Sequence, residues 1–299
     1  MIDRKELKAT AKARMAQSDP SYWKVMLVWT AAAVLLPQVV LSLVGGTSEA
    51  MLKFSQLLEG GIDPELALRA LQLSAGQMFS TWVLSLVLSI YQMVLSFGLA
   101  TYVLRLYRGQ SGGFSDLFSG FSMVGRVLGQ QILVALIMIG CAIAITIPVT
   151  LIGVFAATVN ETLGGILFAG ILIAGMVLLV VVMLNYSLAT IALADQPDLG
   201  AMGAIQYGKN LIRGHKGQYV VLSLSFFGWG LLCSLLSWIF AGVVAALPLP
   251  LPGWTTQLIS VALMFPYYLW LTPYMQTTFA GFYDALRLES EAPPQMPLL

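Results

Sequence analysis

The chain alternates long uncharged apolar runs with short charged stretches. No Asp, Glu, Lys, Arg or His occurs in 25–44, 78–104, 127–160, 162–194 or 217–283. A helix crosses the hydrocarbon core with about 20 apolar residues. Within lipid its backbone polar groups must be satisfied internally, so such runs are helices and not irregular chain. The last run is long enough for two crossings, and the alternating prolines of "LPLPLPGW" at 247–254 divide it. The pattern predicts an all-α, polytopic six-helix transmembrane bundle with spans at 23–44, 78–104, 128–157, 163–190, 218–246 and 257–283. Residues 1–22 form a separate cytoplasmic amphipathic helix. The spans make up a membrane domain over 23–285, and 286–299 is expected to be a disordered Pro-rich tail.

The connecting stretches carry their own periodicity and predict amphipathic interfacial helices on the cytoplasmic side. In "MIDRKELKATAKARMAQSDP", Ile2, Leu7 and Met15 alternate with basic residues, and Asp19-Pro20 stops the helix. Such a helix is expected to lie on an anionic inner leaflet. The external loop 47–76 reads as a helical hairpin, with Asp63 as N-cap and Pro64 at the first helical position. In the loop 105–126, Gly109, Gly112 and Gly113 make a turn and Ser115 caps a helix, with Asp116 near its positive end. Phe114, Leu117, Phe118, Phe121 and Val124 then recur at helical spacing. In the loop after span four, Asp195 is expected to cap a helix with Asp198 at its third position. Leu199, Met202, Ile205 and Ile212 face the membrane there. Gly200, Ala204 and Gly208 form a small-residue ridge for close packing. Gly214 is the expected C-cap, with Arg213, His215 and Lys216 at the helix's negative end. The three inner segments share a plan of amphipathic helix, basic turn and two spans, a weak threefold repeat.

Composition agrees with this pattern. The chain is 58% hydrophobic and 10% charged, where a soluble domain carries about 25% charged residues. The net charge of +1 says little, but its distribution says more. Of the 15 Lys and Arg, only Lys53 and Arg69 fall outside one side of the six-span arrangement. The positive-inside rule then places both termini in the cytoplasm of a bacterial cytoplasmic-membrane protein. The charged N-terminus, with no small-residue cleavage site after span one, predicts that this span is retained.

Candidate chemistry is sparse. Cys141 and Cys233 lie inside spans, and the single histidine, His215, lies elsewhere in the sequence, so no metal site and no cofactor are expected. Inside the bilayer, Pro37, Pro148, Pro266 and Pro273 should kink their helices. Gln38, Gln92 and Asn185 either bond between helices or line a polar path. Arg105, Arg108, Lys209, Arg213, His215 and Lys216 are expected to face lipid phosphates or a membrane protein partner. No nucleic-acid partner is expected. The ordering of functions is a non-catalytic scaffold, accessory or lipid-interacting protein first. A transporter of an apolar or lipid-like substrate comes second, because the span centres lack ionisable groups. A membrane-embedded hydrolase using Asp116, Asp195 and His215 comes last.

The segments "LADQPDLGAMGAIQYGKNLIRGHKGQYVVLSLSFFGW" and "PYMQTTFAGFYDALR", with "DRKELKATAK" and "YRGQSGGFSDLFSGF", resemble the bacterial membrane family called domain of unknown function 975. Asp195, Pro197, Asp198, Lys209, Gly214, His215 and Lys216 match its pattern, as do Leu224, Ser225, Phe226, Gly228, Trp229, Pro273, Tyr274, Phe282 and Tyr283. Gln196, Gly208, Ile212 and Arg213 depart from it. The resemblance implies a polytopic membrane protein and no particular activity. More distantly, the chain is similar to the membrane domain fused to some glycerophosphodiester phosphodiesterases, without their soluble catalytic domain.

Overall fold

The computed structural model describes residues 3–44, 64–159, 161–246, 259 and 262–291. Ile2, Asp63, Trp254, the first half of the predicted external hairpin and the loop 247–254 lie outside the described residues. Those described are helical, with no strand among them.

Helix α1 is Arg4–Ala16. Helix α2 comprises Tyr22–Thr30, a π turn at Ala31–Leu35, and Leu36–Val44. Helix α3 is Pro64–Tyr107, so the second half of the external loop and span two are one unbroken helix of 44 residues. Two short turns follow, α4 (Phe114–Leu117) and α5 (Ser119–Ser122), where the sequence suggests one continuous helix. Helices α6 (Val124–Val159) and α7 (Glu161–Leu184) form a long hairpin, and Pro148 sits inside α6 without ending it. Then come α8 (Ala189–Asp195), a 3-10 turn at Pro197–Leu199, α9 (Gly200–Leu211) and α10 (Lys216–Ala246). A π turn at Tyr267–Leu271 leads into α11, Thr272–Glu291, so the predicted tail is helical through its first six residues, 286–291.

Five helices among the described residues are long and apolar enough to cross a membrane: Tyr22–Leu41, Phe79–Tyr107, Val124–Gly153, Gly164–Asp195 and Lys216–Phe240. The sixth expected span, 257–283, is described only in part and is not among these.

Burial divides the molecule into two layers. At one end lies a hub of side chains packed as in a soluble core. It contains Met26 from α2, Phe97 and Tyr102 from α3, Leu117 from α4 and Leu193 from α8. Ile212 follows α9, and Leu222 from α10 with Phe282, Tyr283 and Leu286 from α11 complete it. Away from the hub most large apolar side chains are exposed, in 79–90 of α3, 132–155 of α6, 166–183 of α7 and 227–243 of α10. Phe155 is 73% exposed and Trp238 79%. Large apolar patches of this extent are not left in water.

Helix α1 belongs to the hub. Leu7, Ala11 and Met15, spaced four apart, are buried, and the helix packs on α11 and α3. This corrects the expectation that its apolar stripe faces lipid, because protein covers the stripe. Asp3, Arg4, Lys5, Glu6, Lys12 and Arg14 stay exposed.

Glycines set the closest approaches. A Cβ on Gly98 of α3 would collide with the Leu117 backbone, and one on Gly120 with the Val94 carbonyl. These two contacts fix α4 and α5 against α3. A Cβ on Gly208 would meet the backbone of Leu188 and Ala189 at 3.0–3.1 Å. The small-residue ridge of α9 therefore seats it on α8.

Two of the prolines expected to kink helices, Pro37 and Pro273, follow a π turn in the same way. A five-residue π turn, then one residue, then proline gives Ala31–Leu35, Leu36, Pro37 in α2 and Tyr267–Leu271, Thr272, Pro273 at α11. Proline has no N–H, so in a helix it leaves the carbonyl four residues back without its partner. For Pro37 that carbonyl is Ala33 O, and Gln92 Nε2 of α3 donates to it at 2.9 Å. Trp29 Nε1 donates to Leu95 O at 3.3 Å, a second bond between the same two helices.

Candidate functional site

Apart from the charges of α1, the candidate charged residues of the hub fall into two groups, one paired and one open. The paired group is an ionic clamp joining α3, α8 and α11. Arg108, just past the end of α3, gives Nη1 to Asp195 Oδ1 at 2.5 Å. Its Nε and Nη2 reach Asp284 Oδ1 at 3.0 and 2.7 Å. Asp195 Oδ2 accepts from Tyr283 Oη at 3.0 Å and from Arg287 Nη1 at 2.8 Å. Glu291 lies 3.3 Å from Arg287 Nε, one helical turn on. Two guanidinium groups thus meet two aspartates, and the Asp195 side chain is only 5% exposed.

Electrostatics lock this clamp in its charged form. Burial works to strip the proton from Arg108, but hydrogen bonds and charges from Asp195 and Asp284 outweigh it and raise its pKa. The hydrogen bond to Asp195 raises that of Arg287. Breaking a buried, multiply bonded pair leaves an uncompensated charge and costs far more than losing a surface ion pair.

The clamp reassigns two predicted residues. Asp195 is not an N-cap: it is the last residue of α8, and its carboxylate is spent on arginine and tyrosine. Arg108 is not open to lipid phosphate, because all its described bonds go to aspartates. Asp198 sits exposed in the 3-10 turn and makes no side-chain cap to α9. Tyr283, Asp284 and Arg287 had no assigned role in the clamp, although Tyr283 and Arg287 are spaced i,i+4 and so share a helix face.

Arg105 is also paired. Its Nη1 meets Asp116 Oδ1 at 2.5 Å, with the arginine side chain 49% exposed and the aspartate 6%. Asp116 also accepts from Gly113 N–H at 2.8 Å. Gly113, not Ser115, therefore occupies the cap position of this turn, because Asp116 reaches back to serve it.

The open group lies at the return from α9 into α10. Lys209 and Arg213 are exposed and Lys216 half-buried, and among the described residues no carboxylate pairs with them. Helix α9 ends at Leu211 with Ile212 as its C-cap. Gly214 is therefore not the cap itself. It turns the chain two residues later, at φ 91°, a left-handed conformation that glycine adopts without strain. His215 stands ahead of α10. Its carbonyl accepts from Tyr219 N–H at 3.1 Å, and its Nδ1 lies 3.5 Å from Gln218 Oε1.

The amide of Gln92 is committed to Ala33 O, and Asn185 Nδ2, just past the end of α7, reaches back 3.4 Å to Val181 O. Gln38 is half-buried on α2. A different pair joins α6 to α8: Gln130 and Gln131 each donate to Thr190 Oγ1, at 3.2 and 3.4 Å. Asp116, Asp195 and His215 each take different partners. No cluster of His, Cys, Asp or Glu suited to a metal ion is present among the described residues.

No curated protein and no solved structure matches the chain. A family model does match, over residues 1–290, which takes in the clamp, the basic turn and every described helix except its last residue, Glu291. The chain belongs to the family of proteins of unknown function DUF975.

Proposed function

We propose that this protein is a non-catalytic membrane scaffold that engages anionic lipid through its hub side, which faces the cytoplasm. The observation that carries this is the division of the hub's charges. Aspartates consume Arg105 and Arg108, whereas Lys209, Arg213 and Lys216 stay together without a counter-charge among the described residues. A basic turn at the entrance of a membrane helix attracts anionic head groups, with about 1 kcal/mol for each Lys or Arg near the surface. The asymmetric distribution of Lys and Arg supports the cytoplasmic orientation. The open flanks of the α6–α7 hairpin offer room for a second membrane protein.

The test is lipid retention. Detergent-solubilised protein is equilibrated with equal amounts of phosphatidylglycerol and phosphatidylcholine, and retained lipids are counted by native mass spectrometry. Changing Lys209, Arg213 and Lys216 to Glu is expected to lower phosphatidylglycerol retention several-fold, with phosphatidylcholine unchanged. Equal retention of phosphatidylglycerol by the variant and the parent protein would overturn the reading.

A further inference from the structure

A cleft of about 540 Å³ separates α10 from the segment leading into α11. This lies within the roughly 300–1,000 Å³ typical of small-ligand sites. Small residues of α10, Ser223, Gly230, Ser234 and Ser237, line one wall, and Met264 and Tyr268 stand opposite. The Ser223 and Ser237 hydroxyls donate back to Tyr219 O and Cys233 O of their own helix. Their bonding capacity is thus largely used, and the wall suits methylene groups.

Position and charge indicate the occupant. From Ser223 to Ser237 the cleft follows α10 for about 21 Å, at about 1.5 Å per residue. It starts in the hub and runs into the layer of exposed apolar side chains. One leaflet's share of a core about 30 Å thick is shorter than this, so a lipid tail fits along it. At the hub end, Phe226 borders the cleft, and Lys8 Nζ of α1 sits 4.2 Å from its ring centroid. Burial and the neighbouring Arg4 both lower the pKa of Lys8. Among the described residues no carboxylate pairs with Lys8 or Arg4. Lys8, with Arg4 one turn before it on α1, thus stands beside Phe226 at the hub end of the apolar trough.

We propose that the cleft seats one acyl chain of an anionic membrane phospholipid, with its phosphate held by Lys8 and Arg4. This rests on the lipid-engaging reading above but uses a different surface from the basic turn.

The experiment uses the full chain in nanodiscs carrying phosphatidylglycerol with a diazirine in mid-chain, and a second set carrying the matching phosphatidylcholine probe. Cross-linked peptides are mapped after irradiation. Label is expected to concentrate at Gly230, Ser234 and Met264. A Cβ on Gly230 meets nothing within 4 Å, so Gly230→Leu can occupy the cleft without disturbing the fold and is expected to cut labelling several-fold. Gly228 is as open but does not line the cleft, and Gly228→Leu is expected to leave labelling unchanged. Lys8→Glu is expected to reduce labelling by the anionic probe several-fold and by the phosphatidylcholine probe little. Charge reversal at Lys209, Arg213 and Lys216 is expected to leave cleft labelling intact, so the two lipid readings fail separately. Label spread evenly along α6, α7 and α10 overturns the proposal, as does full labelling of Gly230→Leu. Equal loss of both probes in Lys8→Glu overturns the assignment of the phosphate.

Discussion

Asp195 shows how a residue's neighbours in space outweigh its neighbours in sequence. With Pro197 and Asp198 after it, it looks like the start of a helix, yet it ends one and holds two arginines. Asp195→Leu is expected to strand Arg108 and Arg287 and to destabilise the fold by about 3–5 kcal/mol. Thermal unfolding in detergent, followed by tryptophan fluorescence, checks this. Asp198→Leu, at an exposed position, is expected to shift the midpoint little. Gln92 offers a sharper test, because its role exists only through Pro37. Gln92→Leu leaves the Ala33 carbonyl without a donor, a cost of about 1–3 kcal/mol. In a Pro37→Ala background the helix regains its own N–H for that carbonyl. The loss from Gln92→Leu should then fall well below its value in the parent protein, as a double-mutant cycle on unfolding midpoints would read. That a glutamine in an apolar run would bond between helices was legible in the sequence. That it answers a proline 55 positions earlier was not, since nothing local encodes the pairing.

At the scale of elements, periodicity located helices well and their faces less well. Of the stripe read in α1, Leu7 and Met15 are buried, with Ala11 between them, but a stripe does not say whether lipid or protein covers it. The expected boundary between the external loop, ending at 76, and the span from 78 is absent, because Gly76 sits inside the unbroken α3. Conversely, the aromatic run 114–124 looks continuous and is divided into α4 and α5, because Leu117 and Gly120 must both reach the α3 backbone. Gly98→Val is expected to push α4 off α3 and cost about 1–3 kcal/mol or more, as overpacking does. Gly140→Val, where a Cβ meets nothing within 4 Å, is expected to be neutral. Size-exclusion profiles of fluorescently tagged variants would separate the two.

For the whole molecule, hydropathy located the long apolar helices, five of which among the described residues are long and apolar enough to cross a membrane, but it ran membrane and hub together. Phe97, Tyr102, Leu193 and Leu222 are as apolar as the residues that follow or precede them, and all are buried by protein. Hydropathy measures transfer out of water and does not distinguish a protein interior from lipid. The exposed charges of α1 run along the hub surface, and ionised side chains are costly in hydrocarbon. The hub is therefore expected to stand in the interfacial or aqueous zone. Spin labels at Lys12 and Gln17 should be relaxed by a water-soluble nickel chelate, and labels at Leu136 and Val177 by oxygen. Oxygen-dominated relaxation at Lys12 would sink this placement.

The paired π turns carry a consequence for where the chain tolerates a deletion. A π turn absorbs one residue more than an α turn while the flanking helix keeps its rotational phase. Each of the two segments, Ala31–Leu35 and Tyr267–Leu271, is thus a store of slack of a single residue. Deleting one alanine from Ala31–Ala33 should tighten the turn to ordinary helix and leave the rest of α2 facing as before. Deleting one residue from 86–88 in α3 should rotate everything beyond it by about 100° and turn the buried face outward. Single-residue deletions scanned along both helices, scored by yield of folded protein, should find their tolerated sites at the π turns.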